Sequence, residues 1–293
     1  MKIGFIGLGS LGTPIAMNIL ESGHTLYVFN RTISKTKPFE EKGAIVCKNV
    51  AVLAKESDIV FTIVSDDAAL KEIVEGINGL AKNMRPGGIH ISMSTILPNT
   101  AERLCAIHEE QNQHYLAAPV FGRPEAASAR KLNFAISGDE KIRTKVEPLL
   151  KNAGAAAVWQ FGDNITAANT VKLCGNFLIA SAIEAIGESV NLAAASEVNP
   201  QDMWNMFLQT IFNAPAYHIY SRIIINEEFE PAAFTARLGL KDLNLVLLQA
   251  NTAKQDMPLA ELVRDRMKHL VDSGKGETDW SAVSTAVDKN RQH

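Results

Sequence analysis

Short apolar runs alternate with amphipathic stretches through the first half of the chain. KIGFIG, TLYVFN, AIVC, DIVFTIV, GIHISMS, HYLAAPV, NFAISG and AAVWQFG read as strands. Between most of them apolar residues recur at helical spacing, over 11–21, 67–75, 99–111 and 140–151. Alternation of this kind predicts a mostly parallel sheet covered on both faces, and an unbroken run such as DIVFTIV suits a strand buried on both sides. The strand signal stops after Gly162. From 163 to about 195 there is no proline, and Gly175 and Gly187 are the only glycines. One helix over that span would be about 50 Å long. Further helical patterns follow at 200–212, 236–254, 258–272 and 279–289. The expected fold is an α/β chain: an N-terminal doubly wound, Rossmann-type sheet over 1–162, then an all-helical domain over 163–293, joined by the long helix.

Composition narrows the function classes. The 293 residues suffice for two ordinary domains, and 46% hydrophobic with 21% charged residues describes a soluble globular protein. A net charge of −3 gives no electrostatic reason to seek nucleic acid or an anionic membrane. The start, MKIGFIGLGSLG, is too broken by glycine for a signal peptide. The most apolar span, 177–195, carries Glu184, Glu188 and Asn191, which would be costly at a bilayer centre, and reads as a long buried helix of a soluble protein. Cys47, Cys105 and Cys174 are odd in number and widely spaced, which fits a reducing cytoplasm rather than a disulfide framework or zinc site. The seven histidines, His24, His90, His108, His114, His218, His269 and His293, have no HxH or HxxxH spacing; no metal site is expected and they read as satisfied or solvated.

The first strand runs into a helix through Gly7-x-Gly9-x-x-Gly12, a loop that includes Leu8, Ser10 and Leu11. Gly7 permits the tight turn, Gly9 lets a pyrophosphate approach the backbone, and Gly12 allows the helix to pack close to the strand. Backbone N–H groups and the positive helix end would then hold the phosphates. After the second strand, an NAD site usually offers an acid to the ribose. Here the chain reads Asn30-Arg31-Thr32. A guanidinium can pair with a 2′-phosphate in bidentate fashion and a hydroxyl can add a donor, so the expected cofactor is NADP in preference to NAD.

Several segments in order, GFIGLGSLGTPIAMNIL, FNRT, STILPNTAERL, AAPVFG, TVKLCGN and GLKDLNLVL, resemble the β-hydroxyacid dehydrogenases, which are related to 6-phosphogluconate dehydrogenase. The resemblance covers nearly the whole chain. It implies a catalytic general acid–base at Lys172, with Asn176 holding the substrate oxygen or orienting the lysine. Partial burial would lower the lysine pKa toward working pH. It further implies cofactor contacts at Val64, Ser65, Thr95 and Lys241, and substrate contacts at Phe121, Gly122, Arg123, Lys241 and Asp242. Ser94 and Thr95 could instead cap the following helix. One segment departs from the family. Its substrate loop usually reads D-A-P-V-S-G-G, whereas this chain has Ala117-Ala118-Pro119-Val120-Phe121-Gly122-Arg123. Phe121 removes a hydroxyl donor; Arg123 either replaces it or faces solvent. The function implied is NADPH-dependent interconversion of a small aldehyde or keto acid and its hydroxyacid, by a homodimer or homotetramer. VFGRPEAA is also similar to relatives of the imine reductases, which makes an imine or larger-carbonyl reductase the alternative. A non-catalytic NADP-binding interaction module is a further one.

Overall fold

The computed structural model describes residues 1–286, so the expected helix over 279–289 lies partly outside the described residues. The chain divides into two compact units between Lys172 and Leu173, and each is described by itself.

The first unit carries β1 (Lys2–Ile6), β2 (Thr25–Phe29), β3 (Ile45–Val46), β4 (Ile59–Thr62), β5 (Ile89–Ser92) and β6 (His114–Ala117) in one parallel sheet of order β3-β2-β1-β4-β5-β6. Successive residues of a strand point to opposite faces, and here both faces are cores. Ile3, Phe5, Leu26, Val28, Ile59, Phe61, Ile89 and Ile91 join one cluster; Ile6, Tyr27, Val60, Tyr115 and Ala117 join the other. That is why the strand sequences are apolar throughout instead of alternating. The connecting helices are α1 (Gly12–Glu21), α2 (Lys37–Glu40), α3 (Val50–Glu56), α4 (Asp67–Glu75), α5 (Leu80–Asn83) and α6 (Pro98–Glu110). Chain order reverses between β1 and β4, and the crevice beyond their carboxyl ends is where open α/β sheets bind ligands.

The expected single strand HYLAAPV is two strands. Pro119, which has no N–H to give to a ladder, separates β6 from β7 (Val120–Phe121). After α7 (Pro124–Ser128), β7 pairs antiparallel with β8 (Leu132–Ile136). Following α8 (Glu140–Asn152), β9 (Ala155–Gln160) lies parallel to β8. These three strands form a second sheet, tied to the first by an antiparallel bridge between Ala117 and Ser137.

The long helix, α9, runs from Ala167 to Ala195, starting four residues later than expected. Residues 163–166 are instead a loop in which Asp163 accepts from buried Arg143 at 2.7 Å. The expectation of a buried helix also needs correction. α9 is long and apolar enough to cross a bilayer by length and composition, but only 33% of its apolar window is buried in this chain, and Leu178 and Leu192 are exposed.

In the second unit α9 packs with α10 (Pro200–Gln209), α11 (Pro215–Ile225), α12 (Ala236–Thr252) and α13 (Pro258–Leu270) around Ile183, Ile186, Trp204, Ile223, Leu243, Val263, Met267 and Trp280. No helix was expected over 215–225, and the described part of the expected 279–289 helix is a 3-10 turn at Trp280–Thr285. Glu184 and Glu188, the acids that interrupt the apolar run, both bond Arg266 of α13. The ion pair allows Glu184 to be buried.

Candidate active site

Two of the three loop glycines are dictated by the protein itself. Gly7 has φ +104°, and a Cβ there would stand 2.0 Å from the carbonyl oxygen of Ile63; a Cβ on Gly12 would stand 2.0 Å from that of Gly7. Gly9 is different: it is exposed, and a Cβ there would meet nothing within 4 Å. Its lack of a side chain leaves open space above the turn, as a ligand approaching the backbone requires. Leu8 turns its side chain into the core. α1 begins without a side-chain cap and with no acid in its first turn, so its N–H groups and positive dipole end fit an anion. Ser10 is exposed and Leu11 half-buried at that helix start.

Asn30 ties this loop to the next turn. Its Oδ1 accepts from Leu8 N at 2.9 Å and its Nδ2 donates to Thr32 O at 2.9 Å. The amide is thus engaged at both ends within the protein. Arg31 and Thr32 are exposed, while β2 ends beside β1 and brings their turn to the same crevice.

The loop after β4 is held from several sides. Val64 N donates to Ser94 Oγ at 2.9 Å, and Ser65 Oγ donates to Asp66 Oδ2 at 2.7 Å. Asp66 also caps α4 by accepting from Ala69 N at 2.8 Å. Ser94 is therefore a buried support for Val64. The residue at the N-cap of α6 is Leu97, so neither Ser94 nor Thr95 occupies that position. Thr95 is half-buried beside the loop.

Beneath it runs a buried polar chain. Gln113 Nε2 donates to the carbonyls of Ala81 and Met84 at 3.1 and 2.8 Å, which leaves its Oε1 to accept from His108 Nδ1 at 2.7 Å. His108 Nε2 must then accept from His90 Nδ1 at 2.9 Å, and His90 Nε2 from the Thr62 hydroxyl at 2.8 Å. Both rings are neutral in this assignment. Burial holds His90 well below the ordinary histidine pKa and lowers His108 to about 4.

Ser137 sets the start of α9. Its hydroxyl donates to Ile165 O at 3.0 Å and accepts from Ala168 N at 3.0 Å, one of the N–H groups that a helix start leaves unpaired. One turn later stands Lys172, half-buried, with its ammonium 4.2 Å from the centroid of the Phe121 ring. That is cation–π geometry. Gly122 follows at φ +141°, a conformation that disfavours a side chain, and a Cβ there would strike Leu132 at 2.5 Å. Arg123 is half-buried at the start of α7 and does not stand free in solvent.

In the second unit, Asn176 Nδ2 donates to Asp242 Oδ2 at 2.6 Å, and Lys241 Nζ stands 2.7 Å from Asp242 Oδ1. Asp242 is buried at 1% exposure and Asn176 is buried as well. Because the nitrogen of the amide is committed to the carboxylate, its oxygen is the end left to accept a proton.

Residues 2–166 match the family model of the NAD binding domain of 6-phosphogluconate dehydrogenase. Residues 166–287 match the NAD-binding region of NADP-dependent 3-hydroxyisobutyrate dehydrogenase. The chain belongs to the β-hydroxyacid dehydrogenases. An uncharacterised oxidoreductase of Bacillus subtilis is similar at 38% identity, over 98% of this chain and 100% of its own length. The 2-hydroxy-3-oxopropionate reductase of Escherichia coli is 29% identical over 100% of this chain and 99% of its own. Among solved structures, the 3-hydroxyisobutyrate dehydrogenase of Mycobacterium tuberculosis with L-serine is 25% identical and covers 98% of each chain with a TM-score of 0.87. The protein is thus an NAD(P)-dependent β-hydroxyacid dehydrogenase-like oxidoreductase.

Within this dehydrogenase, Gly7 to Gly12 and Asn30 share one connected loop system, as do Val64 and Ser65 with Ser94. Phe121 and Lys172 meet directly, and so do Asn176, Lys241 and Asp242. The two oxygens of Asp242, where a substrate contact was expected, stand beside Asn176 and Lys241 at 2.6 and 2.7 Å. Ser137, Arg143 and the His90–His108 pair were not singled out from sequence. An isolated serine or arginine has no local pattern that announces a partner in a distant segment.

Proposed function

We propose that this dehydrogenase uses NADPH to reduce the carbonyl of an aldehyde or keto acid to the hydroxyacid, with Lys172 as general acid. The observation that carries this reading is the placement of the lysine: its helix start is clasped by Ser137, and its ammonium is held over Phe121. A side chain so restrained points in a defined direction, as proton donation in a transition state requires. The phosphate loop fits a dinucleotide, because Gly9 leaves unfilled space beside an uncapped helix start. The exposed Arg31 and Thr32, with no acid beside them, favour a 2′-phosphate.

When bound, the reduced nicotinamide supplies hydride to the carbonyl carbon. Lys172 hydrogen-bonds the carbonyl oxygen and donates a proton as negative charge gathers there; in the reverse direction the neutral amine takes the hydroxyl proton. Asn176, turned by Asp242, offers its oxygen as an acceptor for a hydroxyl or ammonium proton. Asp242 also fixes Lys241, whose ammonium is suited to an anionic group of substrate or cofactor. We further propose a homo-oligomer, supported by the exposed Leu178 and Leu192 on α9 and testable by sedimentation.

The test is NADPH oxidation across short aldehydes, keto acids and cyclic imines, on the wild type and Lys172→Ala. We expect carbonyl turnover in the wild type, a fall of about 10³-fold in the variant, and NADPH affinity within about twofold, in line with an interaction made mainly in the transition state. Full activity of Lys172→Ala, or turnover of imines alone, overturns the reading.

A further inference from the structure

The small sheet of the first unit presents a face on which Asn133, Ala135, Trp159 and Phe161 have no part in the chemistry above. Asn133 pairs in register with Phe121, and Ala135 with Trp159. Alternation along the strands puts Asn133 and Ala135 on one side, and two residues beyond Trp159 comes Phe161. With Val171 from α9, these residues line an open cavity of about 290 Å³. An enclosed apolar cavity of roughly 150 Å³ holds a benzene molecule, so a ring with a substituent fits here.

Three features bear on what this cavity could hold. Trp159 and Phe161 are 58% and 40% exposed, an unusual investment of aromatic surface in solvent. The indole is also oriented: Trp159 Nε1 donates to Asn133 Oδ1 at 3.0 Å, which turns the amide nitrogen of Asn133 outward as a donor on an otherwise apolar wall. Finally, the cavity adjoins the lysine twice. Phe121 lines it and carries the Lys172 ammonium 4.2 Å from its ring centroid, and Val171 is the residue before Lys172.

We propose that this cavity receives an aromatic side group of the substrate, so that the carbonyl reduced at Lys172 belongs to an aryl- or arylalkyl-substituted aldehyde or keto acid. The proposal rests on the reading of Lys172 as proton donor. Phe121, standing where the family has a serine, serves both ends: its ring meets the ammonium and forms one wall for the ring of the substrate. Stacking and edge contacts with Trp159 and Phe161 supply the affinity, and the Asn133 amide recognises an acceptor on the ring.

Two measurements on the full-length protein test it. In the first, NADPH oxidation is followed with succinic semialdehyde and with a phenyl-substituted keto acid, for the wild type, Trp159→Ala and Phe161→Ala. We expect the wild type to prefer the phenyl substrate, and each variant to lower the ratio of kcat/KM, phenyl over short, by about tenfold. A wild type that prefers the short substrate overturns the proposal, as does a ratio untouched by both substitutions. A ratio untouched while the sedimentation coefficient falls also overturns it, and assigns the face to a second copy of the chain. The second measurement separates failure of the pocket from failure of the lysine. Lys172→Ala is titrated with the aryl hydroxyacid, reading tryptophan fluorescence; Trp204 and Trp280 are buried, so the exposed Trp159 reports. Saturable quenching that Trp159→Phe abolishes supports the pocket whatever Lys172 does, and its absence overturns it.

Discussion

The amide nitrogen of Asn176 stands 2.6 Å from the buried carboxylate of Asp242. An amide can present either end, and this bond selects the oxygen. Asp242→Asn keeps the volume but lets Asn176 rotate and leaves Lys241 without its anion. We expect kcat to fall about 100-fold, the size of effect that misplaced groups produce. Asn176→Ala should cost a similar factor, and the double variant little more than either single one. Additive losses in this cycle would show that the two residues act separately.

Arg31 is exposed at the turn that Asn30 ties to the phosphate loop. On the proposed NADPH reading, Arg31→Glu replaces a donor for the 2′-phosphate with a repelling carboxylate. Charge-assisted bonds of this kind contribute about 1.5–3 kcal/mol, so the Kd for NADPH should rise by about 10-fold or more while that for NADH changes little. Equal losses for both cofactors would assign Arg31 a general structural role.

Two loop glycines should answer to substitution in opposite ways. At Gly12 a methyl group would collide with the Gly7 carbonyl, whereas at Gly9 it would meet only open space. Gly12→Ala should lower stability by about 1–3 kcal/mol even without cofactor. Gly9→Ala should leave the Tm of the cofactor-free protein unchanged yet weaken NADPH binding by at least about tenfold, because the methyl group occupies the space of the ligand. Calorimetry with and without NADPH separates the two.

The histidine chain beneath the loop after β4 predicts sensitivity to acid. His90 Nδ1 and His108 Nε2 share one proton at 2.9 Å, and the ring of Tyr115 packs on both. Burial lowers His108 to about 4 and holds His90 well below the ordinary value. A base with a depressed folded-state pKa is neutral when folded and takes up its proton on unfolding. Its stabilising contribution is therefore complete above the unfolded value of about 6.5 and is lost as pH falls toward 4. For His108 alone the loss between pH 7 and 5 is about 2 kcal/mol. Urea midpoints at the two pH values should show it, and His108→Gln should flatten the dependence. An equal slope in that variant would place the acid-sensitive group elsewhere.

The parts of the protein legible in its sequence are those in which the physics is local. A strand, three glycines at a fixed spacing and a helix form one turn whose spacing is written in a single short segment, although the atom that excludes a side chain at Gly7 is the carbonyl of distant Ile63. The strands of the main sheet were legible because both faces are buried, which makes their sequences continuously apolar. Elements governed by other neighbours were not. α11 escaped because its burial depends on Trp280 and Tyr220, whose side chains bond at 3.0 Å across sixty residues of chain. HYLAAPV read as one strand because hydrophobicity continues through Pro119, although the hydrogen-bond ladder cannot.

By itself the sequence determined the sheet-then-helix order, the glycine loop of the dinucleotide-binding domain, the charge of Arg31 after β2 and the family to which the chain belongs. Tertiary structure decided which end of Asn176 meets Asp242, that Phe121 lies under the Lys172 ammonium, and that Trp159, Phe161 and Asn133 share one cavity. Each of these is a contact between segments distant along the chain. Spacing records the periodicity of one element, whereas the partner of a side chain is set by how separate elements pack.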